Sequence, residues 1–329
     1  MRIAILGAGA WGSALAIALA RHHEIVLWAR DAQLACALGR EGENRRYLPG
    51  YRFPVQVRVT AAMDEALEAV ELLLVATPVA GLRETLAQLR GRALPAGLIW
   101  ACKGLDSAPG AFAHEIVRDE LGDRVPGGVL SGPSFAAEVA AGLPAALTLA
   151  CADLATARRL AGALTDRRLR LYASDDVIGV ELAGALKNVL AIASGISDGL
   201  GFGLNARAAL VTRGLAEIAR LGLALGGRRE TFMGLAGMGD VILTCTGDLS
   251  RNRRVGLALA RGEPLPAVLG ALGHVAEGVR TARAACELAQ RHAIDMPISL
   301  AVASVLFEGL APGLAVERLL ARDAKAELD

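Results

Sequence analysis

This chain carries its positive charge almost wholly as arginine and keeps lysine at only three positions, Lys103, Lys187 and Lys325. The distinction is chemical: an ammonium releases its proton once burial or a neighbouring cation lowers its pKa, whereas a guanidinium stays charged. Lys325 lies in the charged C-terminal tail, where either base would serve. Lys103 and Lys187 sit among small and apolar residues, so these two are the candidates for proton transfer. Lys187, within Ala185-Leu186-Lys187-Asn188-Val189-Leu190, has the apolar setting that moves an ammonium toward neutral pH. A lysine snorkelling from a helix face is the plainer reading, and the scarcity of lysine weighs against it.

A second constellation opens the chain. Gly7-Ala8-Gly9-Ala10-Trp11-Gly12 fits G-x-G-x-x-G between an apolar run and a helical segment, the context that makes this motif a dinucleotide fingerprint. Gly7 permits the tight turn, Gly9 lets backbone approach a pyrophosphate, and Gly12 allows helix and strand to pack closely. The helix start then offers free N–H groups and the positive end of its dipole to the phosphates. The next strand candidate ends in Trp28-Ala29-Arg30-Asp31, where a side chain meets the adenosine ribose. An acid there selects NAD, and an arginine accommodates the 2′-phosphate of NADP. Arg30 comes first and is taken as the contact, with Asp31 as the N-cap of the following helix. NADP(H) is therefore the preferred coenzyme and NAD(H) a possible one.

Hydride transfer to a ketone leaves negative charge on oxygen and calls for a proton donor whose pKa lies near operating pH. Lys187 fits that role, and Lys103 follows a strand candidate at its carboxyl end, the edge where open α/β sheets bind ligands. Ser250-Arg251-Asn252-Arg253-Arg254 reads as a helix start capped by Ser250. An arginine and an asparagine beside free helix N–H groups form a receptor for a substrate phosphate. Gly237-Met238-Gly239-Asp240 ends in a carboxylate that either pairs with Lys187 or caps a helix, and spacing alone leaves both open.

The elements that must position these groups divide the chain in two. Strand candidates are Arg2 to Leu6, Glu24 to Trp28, Val55 to Val59, Glu71 to Ala76, Gly97 to Ala101, Gly128 to Ser131, Ala145 to Ala150 and Arg168 to Tyr172. Helix-like segments such as Val79 to Arg90 separate them, the pattern of a doubly wound parallel sheet covered on both faces. After about Ser174 the strand pattern stops. Helix candidates then run from Asp175 to Ser197, Asn205 to Leu225, Arg251 to Arg261, Val279 to His292 and Ile298 to Leu310. A dinucleotide-binding domain over residues 1–174 and an all-helical substrate and catalytic domain over 175–329 are expected. Gly179, Gly184 and Gly195 interrupt the longest helix at a cost of about 1 kcal/mol each relative to alanine. Close approach of another helix or of a ligand would explain them.

Bulk composition narrows the classes. The 329 residues, 53% hydrophobic, suffice for two cores without disulfides or metals. A formal net charge of +1 gives no global field for nucleic acid or an anionic membrane. The 5 cysteines are scattered, an arrangement of reduced thiols in a cytoplasm, and no histidine pair has metal-ligand spacing, so no metal is expected. The uncharged stretch from Ile3 to Ala20 imitates a signal peptide, but three glycines interrupt it, and no membrane insertion is expected. An alanine-rich helical domain with close-packing glycines suits a homodimer.

Several motifs together resemble the bacterial NAD(P)-dependent glycerol-3-phosphate dehydrogenase family. They are the glycine loop continued through Ser13-Ala14-Leu15-Ala16, Ser131-Gly132-Pro133-Ser134-Phe135-Ala136, Gly184-Ala185-Leu186-Lys187-Asn188-Val189, Gly201-Phe202-Gly203-Leu204-Asn205-Ala206-Arg207, Gly239-Asp240-Val241-Ile242-Leu243-Thr244-Cys245 and Ser250-Arg251-Asn252-Arg253-Arg254. The resemblance runs from end to end. It implies a Rossmann-type sheet followed by an all-α domain of the 6-phosphogluconate dehydrogenase C-terminal-like type. It also implies reversible reduction of dihydroxyacetone phosphate to sn-glycerol 3-phosphate for phospholipid synthesis. By matching position, Lys187 would be the proton acceptor in oxidation. Lys103, Gly132, Ser134, Asp240, Ser250, Arg251 and Asn252 would line the substrate site, and Ala10, Trp11, Arg30, Lys103, Ala136, Arg251, Val275 and Glu277 would meet the coenzyme. Cys102 stands where threonine is common in the family, and Ser134 varies with threonine; neither change removes a needed group.

The nearest enzyme rival is a dehydrogenase of the 3-hydroxyacid or 6-phosphogluconate type, which also joins a dinucleotide domain to a helical one and uses a lysine. A coenzyme-sensing binding protein without catalysis is the rival from another class, and the placement of Lys187 argues against it.

Overall fold

The computed structural model describes residues 1–106, 111–122, 126–272 and 276–322. In strand β1 (Arg2–Leu6), Ile3 and Ile5 point into one apolar layer and Ala4 and Leu6 into another, all fully buried. A strand covered on both faces has no polar side to show, which is why the run reads as continuously apolar.

Around β1 the sheet is completed by β2 (Glu24–Trp28), β5 (Val57–Thr60), β6 (Leu72–Val75), β7 (Leu98–Trp100), β8 (Gly127–Ser131), β9 (Ala145–Cys151) and β10 (Leu169–Ser174), while β3 (Glu43–Asn44) and β4 (Leu48–Arg52) form a separate hairpin. The strand order is β10-β9-β8-β7-β6-β1-β2-β5. All neighbours run parallel except β8 and β9, which are antiparallel, so the purely parallel expectation is corrected at that pair. The strand expected from Val55 begins two residues later, because the Val57 N–H donates to the Pro54 carbonyl in a turn and leaves Val55 fully exposed.

Among the described residues, seven α-helices connect these strands: α1 (Ala10–Leu19), α2 (Ala32–Glu41), α3 (Met63–Leu67), α4 (Leu82–Ala87), α5 (Ala113–Leu121), α6 (Ala136–Ala140) and α7 (Leu154–Leu164). Helix α1 is buried from Gly12 to Leu19, between the sheet and a layer containing Leu48 of the hairpin and Val139 and Ala140 of α6. Burial on all sides accounts for the uncharged stretch that imitates a signal peptide.

Beyond β10 the elements are helical: α8 (Val177–Gly199), α9 (Gly203–Ala224), α10 (Arg229–Met233), α11 (Asp240–Thr246), α12 (Arg251–Ala260), α13 (Leu265–Leu272), α14 (Glu277–Arg291), α15 (Pro297–Phe307) and α16 (Pro312–Leu320), with a π-helical turn over Leu235–Gly239 leading into α11. Helix α8 is long and apolar enough to cross a bilayer, yet it is the core of the helical half. Its glycines have distinct causes. A Cβ at Gly179 would strike the capping carboxylate of Asp176, one at Gly184 would lie 2.6 Å from Ser131 Oγ, and one at Gly195 would lie 2.1 Å from the Arg253 carbonyl of α12. Gly256 answers Gly195 from α12, where a Cβ would lie 2.1 Å from the Ile192 carbonyl. Both helices are thinned at their crossing, and α8 is thinned again where it meets β8.

Candidate active site

Parallel pairing brings the carboxyl ends of β1, β2, β6, β7 and β8 to one edge, and all but β6 are followed by residues that the sequence singles out. After β1, Gly7 takes φ +119°, and a Cβ there would lie 2.8 Å from the Ala76 backbone. A Cβ at Gly12 would lie 1.9 Å from the Gly7 carbonyl, whereas nothing stands within 4 Å of one at Gly9. Two glycines thus fold the turn onto its neighbours, and the middle one leaves backbone open to an incoming group. Asn44, buried in the hairpin, fixes the loop by donating to the Ala8 carbonyl at 3.0 Å and to Ser13 Oγ at 2.7 Å. Sequence reasoning missed it.

Ala10 opens α1 beside Trp11, and Trp11 packs with Ala136, the first residue of α6, against the outer face of α1. At the end of β2, Asp31 caps α2 by accepting from Gln33 N at 2.9 Å and Leu34 N at 3.2 Å. Arg30 is thereby left projecting into solvent, where its Nη1 meets Glu84 Oε2 at 2.7 Å.

The two lysines converge on one carboxylate. Asp240, 1% exposed, follows the π-helical turn and opens α11. Lys103, after β7, donates to Asp240 Oδ2 at 2.8 Å and to the Gly132 carbonyl at 2.9 Å. Lys187, in the middle of α8, bonds the other oxygen, Oδ1. Asp240 therefore pairs with Lys187 and does not cap a helix with its side chain. Burial is the largest influence on Lys187 and pushes its pKa down; Asp240 opposes this and Lys103 adds to it, leaving the group at about 7. For Asp240 burial acts upward, but the two ammonium groups outweigh it and hold the carboxyl below its ordinary value. Ser134 Oγ donates to the same Gly132 carbonyl at 3.0 Å, so the segment after β8 is organised around that oxygen.

A chain of amides ties the helical half beside Lys187. Asn252 Nδ2 donates to Asn188 Oδ1 at 2.9 Å, and the Gly278 N–H donates to Asn252 Oδ1 at 3.0 Å. Ser250 caps α12 by accepting from Arg253 N at 3.2 Å. The start of α12 is thus held next to the catalytic lysine candidate, with Arg251 exposed beside it. Asn252 is buried and its side chain braces three helices, a structural duty in addition to any contact with substrate. Asn188 is the partner that sequence reasoning passed over, although it adjoins Lys187.

Glu277 opens α14 against the loop after β7, where a Cβ on Gly104 would lie 3.4 Å from both Glu277 Oε2 and Thr281 Oγ1. Burial raises the Glu277 pKa to about 7, with Arg280 and Arg251 opposing. Its Oε2 is buried without a hydrogen-bond partner, as are Thr281 Oγ1, Thr77 Oγ1, Ser131 Oγ and Trp11 Nε1. Such atoms are costly unless something completes them. Partnerless donors and acceptors thus run from Trp11 in α1, past Thr77 beside the Gly7 turn, to Thr281 and Glu277 beside the Gly104 loop, and fit a polar dinucleotide. The glycine motif located one end of that line; residues such as Thr77 and Thr281 carry no motif and become visible only when the cleft is assembled. Val275 lies outside the described residues.

Comparison with known proteins gives the family of the chain. Residues 2–157 match the family model for the NAD-dependent glycerol-3-phosphate dehydrogenase N-terminus, and residues 176–317 match that for its C-terminus. The chain is 57% identical over 331 residues to glycerol-3-phosphate dehydrogenase (NAD(P)+) of Paucimonas lemoignei, covering 99% of this chain and 98% of the relative. It is 58% identical over 328 residues to that of Aromatoleum aromaticum, covering 99% and 100%. The crystal structure of glycerol-3-phosphate dehydrogenase from Coxiella burnetii superposes with a TM-score of 0.93 at 45% identity, covering 98% of this chain and 99% of that one.

Proposed function

The chain belongs to the NAD-dependent glycerol-3-phosphate dehydrogenase family, and on that premise we infer that its cleft reduces dihydroxyacetone phosphate reversibly to sn-glycerol 3-phosphate, using NADPH or NADH, in support of phospholipid synthesis. The observation that carries this reading is a dry lysine with its pKa near 7 held beside a helix start that bears an exposed arginine. Proton donor and phosphate receptor are thereby joined through the Asn188–Asn252 pair, one residue along from each.

The coenzyme, when bound along the line from Gly9 to Glu277, supplies the hydride. Lys187 gives its proton to the ketone oxygen as negative charge develops there, and takes it back in oxidation. Asp240 keeps the ammonium oriented and supplies the charge without which a buried lysine would be neutral well below pH 7. Lys103 polarises the carbonyl from the sheet side while anchored to Gly132. Arg251, with the N–H groups of α12 capped by Ser250, receives the phosphate. Ser134 and Asn252 complete the substrate wall, and Ala10, Trp11, Arg30, Ala136 and Glu277 face the coenzyme.

We place the enzyme in the cytoplasm and read it as a homodimer. Five unpaired cysteines support the first. For the second, exposed apolar side chains on the helical half, among them Phe202, Leu204 and Met233, offer surface to a second copy. The deciding assay follows NADPH oxidation with dihydroxyacetone phosphate against a panel of carboxylated ketones. Turnover confined to dihydroxyacetone phosphate is expected; turnover confined to a carboxylated substrate would move the enzyme to the hydroxyacid dehydrogenases.

A further inference from the structure

We propose that Glu84 sets the coenzyme preference, by competing with the 2′-phosphate of NADPH for the guanidinium of Arg30. The inference rests on reading Arg30 as the residue beside the adenosine ribose, a position given by the end of β2 next to the glycine loop.

Glu84 belongs to the first turn of α4, the helix that follows β6, and thus approaches the adenosine corner from a different element than Arg30 does. Its Oε2 lies 2.7 Å from Arg30 Nη1, and the two side chains are 67% and 62% exposed for Arg30 and Glu84 respectively. No other acceptor engages Arg30 among the described residues, because its neighbour Asp31 is directed to the backbone of α2. Before NADPH binds, one nitrogen of the guanidinium is therefore engaged and its charge offset.

The two coenzymes meet this pair differently. NADH carries no 2′-phosphate and leaves the pair closed. NADPH brings a group of nearly two negative charges, which must share the guanidinium with Glu84 or take it over, and in either case reside near that carboxylate. An exposed pair contributes little to stability and opens readily, so NADPH is admitted, but at a cost that NADH does not meet. A chain with Arg30 alone would favour NADPH more strongly. Glu84 pulls the preference back toward parity, in keeping with the dual NAD(P)+ designation of the relatives.

Steady-state kcat/KM for NADPH and NADH, measured on the intact enzyme and on Glu84→Gln, Arg30→Ala and the double variant, tests this. Glu84→Gln keeps the side-chain shape and removes the charge. The NADPH/NADH ratio should rise about three- to tenfold, the scale of one exposed charge interaction acting on a near-dianion, through a lower KM for NADPH with NADH within twofold. The gain should shrink at high salt and vanish in the double variant. Melting temperatures should not move, since both side chains are exposed. An unchanged or lowered ratio in Glu84→Gln, or an equal change for both coenzymes, overturns the proposal. If Arg30→Ala lowers the ratio while Glu84→Gln leaves it alone, Glu84 fails and Arg30 stands; if Arg30→Ala leaves the ratio unchanged, the placement of Arg30 fails as well.

Discussion

Asp240 meets Lys187 with one carboxylate oxygen in the dry floor of the cleft and gives the other to Lys103. One acid thereby joins the two lysines that stand out in an arginine-rich sequence, one from the sheet and one from the helical half. The loop after β7 and the middle of α8 are thereby tied together.

The pH dependence of the two reaction directions follows from Lys187. Reduction requires the ammonium and oxidation the free amine. With the group at about 7, kcat/KM for dihydroxyacetone phosphate should fall as pH rises through that value, and kcat/KM for glycerol 3-phosphate should rise through it. Paired pH profiles of the two directions check this; limbs of the same sign would exclude a single shared proton-transfer group.

Asp240→Asn and Lys103→Met should move that limb in opposite senses. Asp240 raises the Lys187 pKa and Lys103 lowers it, so removing the acid shifts the limb to lower pH and removing the cation shifts it to higher pH. Both variants should also lose activity, by about 10²-fold where misplacement of the reacting groups dominates. The direction of the limb is the diagnostic readout, because general damage would not give opposite signs.

Arg251→Ala should raise the KM for dihydroxyacetone phosphate by about 10- to 100-fold, the worth of charge-assisted hydrogen bonds to one phosphate, with kcat changed far less. A variant with unaltered KM would place the phosphate elsewhere in the cleft.

Gly195→Ala tests the helix crossing. Alanine gains about 1 kcal/mol in helix propensity over glycine, so a solvent-facing site would be stabilised. Here the new methyl would lie 2.1 Å from the Arg253 carbonyl, and overpacking of that kind costs about 1–3 kcal/mol or more. Thermal denaturation should show a lowered midpoint, and a raised one would mean that α8 and α12 are not in contact there.

Much of this was legible in the sequence because short-range chemistry left marks. The glycine loop announces itself through spacing, Ser250 and Asp31 through cap position, and Lys103 and Lys187 through being lysine at all. What escaped depends on tertiary contact. Asn44 holds the loop from a two-residue strand with no apolar pattern, Asn188 is one amide among many until Asn252 faces it, and Thr77 and Thr281 are ordinary until the fold buries them without partners. The antiparallel β8–β9 pair was likewise hidden, since buried strands look alike in either direction. Glu277 was reached through family resemblance alone; in the fold its partnerless buried oxygen marks it.

Lys187→Met, assayed for both turnover and NADPH binding, addresses the assignment of the proton donor most directly. The variant should lose about 10²- to 10⁴-fold in kcat, the range of general acid catalysis, while its NADPH affinity, read by coenzyme fluorescence, stays within a few fold of the parent. Parent-like turnover in a folded Lys187→Met enzyme would contradict the role of Lys187 and leave the cleft without its proton donor.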